Sequence, residues 1–362
     1  ATQNTITVKS GTPTITLSGV NIEADSDGTT QEALCAFAIE GGGVTLMLAE
    51  DTTNTLQSEI GQLDNTAIIS FAGIWVNQGA SLTIDGSGTL DVEAAATKWE
   101  EYKDVSSDYT KYFGNVGLGS GIGACGVFTG SSVNTNYRQY STVGDITIKD
   151  GTVNAISEAG DSYSGAGIGG GTNNSNITIK GGTVTAKNKT LPNSSAGIGG
   201  VYGYNGRKTI TISDGEVTAE GGTGIGGGAY QNAHTIIISD GKVTATGHGG
   251  AGNGGGGGNF IGASSAGGSI TIKDGEVIAQ GGTYAAGIGG GGAPSPVSTF
   301  GGGASNNITI SGGEVTAKGG QYGPGIGSGS AKDSGGVTEN GLVGTITITG
   351  GTISATNGTD YT

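Results

Sequence analysis

The chain has 362 residues, of which 79 are glycine and only 12% are charged, with 30 acidic against 15 basic side chains and a net charge of −15. That balance repels phosphate backbones and anionic lipid heads, which excludes nucleic acid as a partner. Apolar runs of only a few residues exclude membrane insertion, and the scarcity of charge excludes a coiled coil.

The first segments read as short strands: Thr5-Ile6-Thr7-Val8, Ile15-Thr16-Leu17, Val20-Asn21-Ile22, Phe37-Ala38-Ile39, Val44-Thr45-Leu46 and Ile74-Trp75-Val76. Apolar and polar residues alternate in them, the period of a half-buried strand. Residues 1–80 are expected to form degenerate N-terminal coils, and 81–362 the regular coils of one solenoid, opening on Leu82-Thr83-Ile84-Asp85-Gly86. Between 93 and 113 the pattern breaks. There Ala94, Ala95, Ala96, Trp99, Glu100, Glu101, Tyr102 and Lys103 predict a short helix carrying clustered aromatics.

From residue 146 onward one phrase, Ile-Thr-Ile-x-Asp/Gly-Gly-x-Val-x-Ala, returns with small changes at Ile146, Ile177, Ile210, Ile236, Ile270, Ile308 and Ile346. A second phrase, Gly-Ile-Gly, is centred on Ile122, Ile168, Ile198, Ile225, Ile288 and Ile326, with Phe260-Ile261-Gly262 as a weaker version in the remaining gap. Each unit therefore has three short segments. None is long enough to bury its apolar face within its own unit, so successive units must stack at about 4.8 Å, Ile upon Ile. The expected fold is all-β, a parallel β-helix of about ten coils with three strands each. The strong preference of parallel crossovers makes it right-handed.

The phrases Gly165-Ala166-Gly167-Ile168-Gly169-Gly170-Gly171, Asn176-Ile177-Thr178-Ile179-Lys180-Gly181-Gly182-Thr183-Val184-Thr185-Ala186 and Ser195-Ala196-Gly197-Ile198-Gly199-Gly200 resemble the Gly-Ile-Gly repeat proteins of Gram-positive bacteria. The resemblance implies a secreted or cell-surface parallel β-helix of carbohydrate-binding type. It allows Ca2+ as a cofactor without placing a site.

Chemistry is sparse. Turn acids at Asp150, Asp214, Asp240 and Asp274 would stand about 5 Å apart on neighbouring coils, near the spacing of a retaining glycosidase pair. Asp before Gly is also what a tight turn prefers, and Gly181, Gly312 and Gly350 replace it elsewhere, so no catalytic residue is assigned. Candidate metal residues are Asp25 and Asp27, in a fragment of a calcium-loop pattern, and the stacked Asp214, Asp240 and Asp274. His234 and His248 read as loop residues. Tyr163, Tyr202, Tyr204, Tyr230, Tyr284 and Tyr322 flank the Gly-Ile-Gly phrases along one edge, where tyrosines can stack on pyranose rings; Trp99, Tyr102, Tyr109 and Tyr112 form a second candidate patch.

Cys35 and Cys125 fall about two coils apart, beyond the reach of a disulfide, and are expected as separate thiols. Neither end carries an obvious capping helix. Ile6 and Val8 at one end and Ile346, Ile348 and Ile353 at the other are expected as open edges that invite end-to-end self-association. The reading is an extracellular or cell-surface, non-enzymatic β-solenoid for adhesion or for binding a polysaccharide or other glycan. A head-to-tail filament subunit is the alternative, and a polysaccharide-degrading enzyme the third.

Overall fold

The computed structural model describes residues 5–360 except 25–34, 59, 65–66, 96–101, 104–109, 112–118, 131–135, 159–163, 190–194, 202–205, 229–233, 250–252, 255–268, 293–306, 333–337 and 341–343. Three parallel sheets of ten strands run the length of the solenoid, each coil giving one strand to each sheet. The first sheet holds the Gly-Ile-Gly strands, such as Ile168–Gly169 and Ile288–Gly289. The second holds the Ile-Thr-Ile strands, such as Lys208–Ile212, and the third the Val-x-Ala strands, such as Glu216–Gly221. No α-helix occurs among the described residues.

Stacking is in register. In the second sheet Ile146 pairs with Ile177, Ile177 with Ile210, Ile210 with Ile236, and so on to Ile346. In the third, Val184, Val217, Val243, Val277 and Val315 form one inward column and Ala186, Ala219, Ala245, Ala279 and Ala317 another, all at most 1% exposed. Burying such an Ile or Val contributes about 1.5–3 kcal/mol relative to leaving it exposed. No unit has this burial without its neighbours. The alternate residues face out and are mostly polar: Thr147, Thr178 and Thr211 stand in register on the second sheet, followed by Ile237.

Two glycines show why the phrases keep their letters. Gly215, in the turn between second and third sheets, has φ of 95°, and its N–H donates to Oδ1 of Asp214 at 2.7 Å. Gly289, which closes a Gly-Ile-Gly strand, has φ of 137°, and a Cβ there would lie 1.8 Å from the carbonyl oxygen of Gly327 on the next coil. Both conditions select glycine.

The structure corrects two expectations and adds an element. Glu93 and Ala94 continue the strand Thr89–Ala94, which pairs on both sides within the third sheet, and Tyr102–Lys103 pairs antiparallel with Thr110–Lys111. Ladder pairing overrides the helical preference of Ala94. The rung expected at Phe260-Ile261-Gly262 is made by Asn253–Gly254, which pairs with Ile225–Gly226 and Ile288–Gly289; 260–262 lie outside the described residues. Finally, the strands Ile60–Asp64, Ala67–Ser70, Gly126–Gly130 and Asn136–Tyr140 form an antiparallel sheet that the repeat pattern does not announce.

Candidate functional site

Polar side chains gather at two corners of the solenoid. The first is where the chain enters the second sheet. Alternation along Lys208-Thr209-Ile210-Thr211-Ile212 turns Lys208 inward with the isoleucines, and it is 2% exposed. Its Nζ donates to the Asn173 carbonyl at 3.2 Å and to Ser175 Oγ at 3.1 Å on the preceding coil. Its backbone N–H donates to Nδ1 of His234 on the following coil at 3.0 Å. Burial pulls the Lys208 ammonium down to about 7, partly opposed by the negative charge of Asp145. His234 is held down to about 3 by burial and then by the positive charges of Lys208 and Arg207. Its Nε2 is buried without a hydrogen-bond partner. His234 thus stands in the loop just before the strand Thr235–Ile238, as expected, but with its side chain buried.

The second corner follows the third sheet. An open groove of about 410 Å³ crosses three successive coils, lined by Thr246, Gly247, His248, Gln280, Gly281, Gly282, Thr283, Gly320 and Gln321. Thr246 and Gln280 are register partners, and Lys318 is the next in that column. Between the polar rows the floor is glycine, because the coils touch there: a Cβ on Gly320 would lie 1.7 Å from the carbonyl oxygen of Gly282, and one on Gly282 2.3 Å from that of His248. Thr246, Gln280 and Thr283 make no side-chain hydrogen bond among the described residues, leaving an amide and two hydroxyls unspent.

One wall is His248, whose Nε2 lies 3.0 Å from Oε1 of Glu220. The other oxygen of Glu220 pairs with Lys187 Nζ at 3.2 Å. The bond to His248, and then the Lys187 contact, hold the Glu220 carboxyl below its usual range despite partial burial. At the opposite end Gln321 donates to the Tyr322 hydroxyl at 3.1 Å and to Asp360 Oδ2.

Of the tyrosines expected along this edge, Tyr284 and Tyr322 come together, their ring centroids 4.9 Å apart and planes within 15°. Each spends one face on the other, and the Tyr322 hydroxyl accepts from Gln321 at the end of the groove. Tyr163, Tyr202, Tyr204, Tyr230, Trp99, Tyr109 and Tyr112 lie outside the described residues, and Tyr102 is placed only as backbone in its hairpin.

The turn acids are occupied: Asp214, Asp240 and Asp274 each accept the N–H of the following glycine at 2.7, 2.7 and 2.9 Å. Among the described residues no three His, Cys, Asp or Glu side chains converge. Asp25 and Asp27 lie outside the described residues. The thiols are separate, as expected: Cys35 Sγ donates to the Ala72 carbonyl at 3.0 Å, and Ala72 N–H donates to Cys125 Sγ at 3.4 Å. Burial pushes the Cys35 thiol up to about 12.

At the ends, Ile6, Val8 and Ile353 are partly buried against the core, while Ile346 and Ile348 are 38% and 52% exposed. The outermost strands are paired on one side only.

The class these features define is a parallel β-solenoid with three strands per coil. Residues 146–172, 177–204, 210–229, 236–257, 270–292 and 308–330 each match the family described as Beta helix repeat. With the three stacked sheets, this makes the chain a β-helix repeat protein. No curated protein and no solved structure matches it.

The groove was hidden from sequence reasoning because its residues come from coils far apart in the chain. The signal was present in Gln280-Gly281-Gly282-Thr283-Tyr284, which repeats as Lys318-Gly319-Gly320-Gln321-Tyr322.

Proposed function

We propose that the chain is a non-enzymatic, extracellular carbohydrate-binding solenoid, of the Gly-Ile-Gly repeat type found on Gram-positive surfaces, that holds a glycan in the groove beside Tyr284 and Tyr322. The observation that carries this reading is the unspent set of Thr246, Gln280 and Thr283 in a groove open to solvent. Free hydroxyls and amides on a rigid frame can replace the water around sugar hydroxyls without reorganisation. The tyrosine hydroxyls extend the same chemistry along the rim. Binding in this reading is independent of calcium, so EDTA leaves it unchanged.

Affinity electrophoresis of the folded protein through gels containing polysaccharides tests the reading. Retardation by at least one is expected. Migration unaltered by every neutral and acidic polysaccharide tried would overturn it.

A second reading, end-to-end association into a filament, draws on the one-sided outer strands and on exposed Ile346 and Ile348. It predicts concentration-dependent rods in sedimentation that I346K/I348K abolishes. A single monomeric species at high concentration would contradict it.

A further inference from the structure

We infer that the groove selects an uncharged, hydroxyl-rich polysaccharide lying parallel to the solenoid axis, with one sugar unit per coil. The inference rests on the carbohydrate-binding reading above and names its substrate class and register.

The first argument is charge. On a chain of net charge −15, the groove lining among the described residues holds no carboxylate, lysine or arginine, and the cation beside it is Lys318, exposed and next in the column after Gln280. The one ionisable group in the lining among the described residues, His248, already faces Glu220, and Glu220 is shared with Lys187. A bound polyanion would lose hydration against a described lining with no cation, Lys318 alone standing beside it, under the repulsion of the whole chain. An uncharged glycan meets neither cost, and its hydroxyls pair with Thr246, Gln280, Thr283 and the amide oxygen of Gln321, whose nitrogen is held by Tyr322 and Asp360. Such groups were not aligned for charge, and their donors and acceptors suit a hydroxyl that is both.

The second argument is spacing. The tyrosine centroids put successive coils 4.9 Å apart at this corner. That is close to the length of one hexopyranose in an extended chain, so Thr246 and Gln280 in one row, and Thr283 and Gln321 in the other, repeat in step with the sugar. The glycine floor lets the chain approach the backbone between these rows. The groove crosses three coils, which sets the number of sugars that gain contacts.

The test compares wild type, Q280A/T283A and, as a control on the second sheet, T147A, each checked for an unchanged melting curve. Native gels would carry neutral polysaccharides (mannan, xyloglucan, laminarin, starch) or acidic ones (polygalacturonate, alginate). Retardation by a neutral polysaccharide is expected, weakened about tenfold in Q280A/T283A and unchanged in T147A. Affinity for its oligosaccharides should rise up to about three units and then level off. Equal or stronger binding of an acidic polysaccharide would overturn the substrate class while leaving carbohydrate binding intact. Neutral binding that ignores Q280A/T283A would overturn the groove as its place. Binding of none would overturn both readings.

Discussion

The corner at Lys208 and the corner at Gln280 are both polar interruptions of an aliphatic solenoid, and they treat their polar atoms in opposite ways. At the first, Lys208 is closed off from water and spends its ammonium on Asn173 and Ser175, while its N–H fixes His234. At the second, the side chains of Thr246, Gln280 and Thr283 face a groove with no partner among the described residues. Titratable residues alone would have pointed to the first corner as the site. Hydrogen-bond accounting points to the second, because spent polar groups hold a fold together and unspent ones are available to a ligand.

The largest effect is expected from breaking the frame common to both corners. G289V forces a side chain into φ of 137° and against the Gly327 carbonyl, and should cost about 3 kcal/mol or more, read as a lowered or lost cooperative melt by circular dichroism. Ile210→Ala, two residues from Lys208 in the same strand, removes a fully buried side chain and should cost about 2–5 kcal/mol by urea unfolding.

The next prediction separates the corners by pH. Lys208 titrates near 7 in the folded protein against 10.5 for the exposed side chain, so between those values the unfolded chain binds the extra proton. Its contribution to stability is therefore complete above about 10.5 and is lost as pH falls to about 7. His234, near 3 instead of 6.5, adds a second loss as pH falls from 6.5 toward 3. Urea midpoints at pH 4, 7 and 10 should show K208M flattening the rise from 7 to 10 while keeping the loss from 7 to 4. A K208M profile parallel to wild type would show that the ammonium is not buried. The smallest effect belongs to the groove wall: H248A removes one exposed contact to Glu220 and should change stability by less than about 1 kcal/mol in the same assay.

Much of this fold was legible because stacking forces repetition. Ile-x-Ile and Val-x-Ala name the second and third sheets, and Asp-Gly names the turn between them. What escaped was whatever does not repeat. The antiparallel sheet built from Ile60–Asp64, Ala67–Ser70, Gly126–Gly130 and Asn136–Tyr140 rests on long-range pairing with no periodic signature. The rung at Asn253–Gly254 has glycine-rich sequence around it and no isoleucine to mark it. The inward Lys208 was legible from alternation two residues before Ile210, but a charged residue is ordinarily read as outward. The groove needed the three-dimensional register, since Thr246, Gln280 and Lys318 become neighbours only through stacking.

Hydrogen–deuterium exchange with and without a bound neutral polysaccharide is the most direct measurement, since it reads both corners at once. The account predicts added protection at 246–249, 280–284 and 320–322, and none at 206–212 or 234–238. Protection confined to the Lys208 corner or to the end strands, with the groove unchanged, would contradict it.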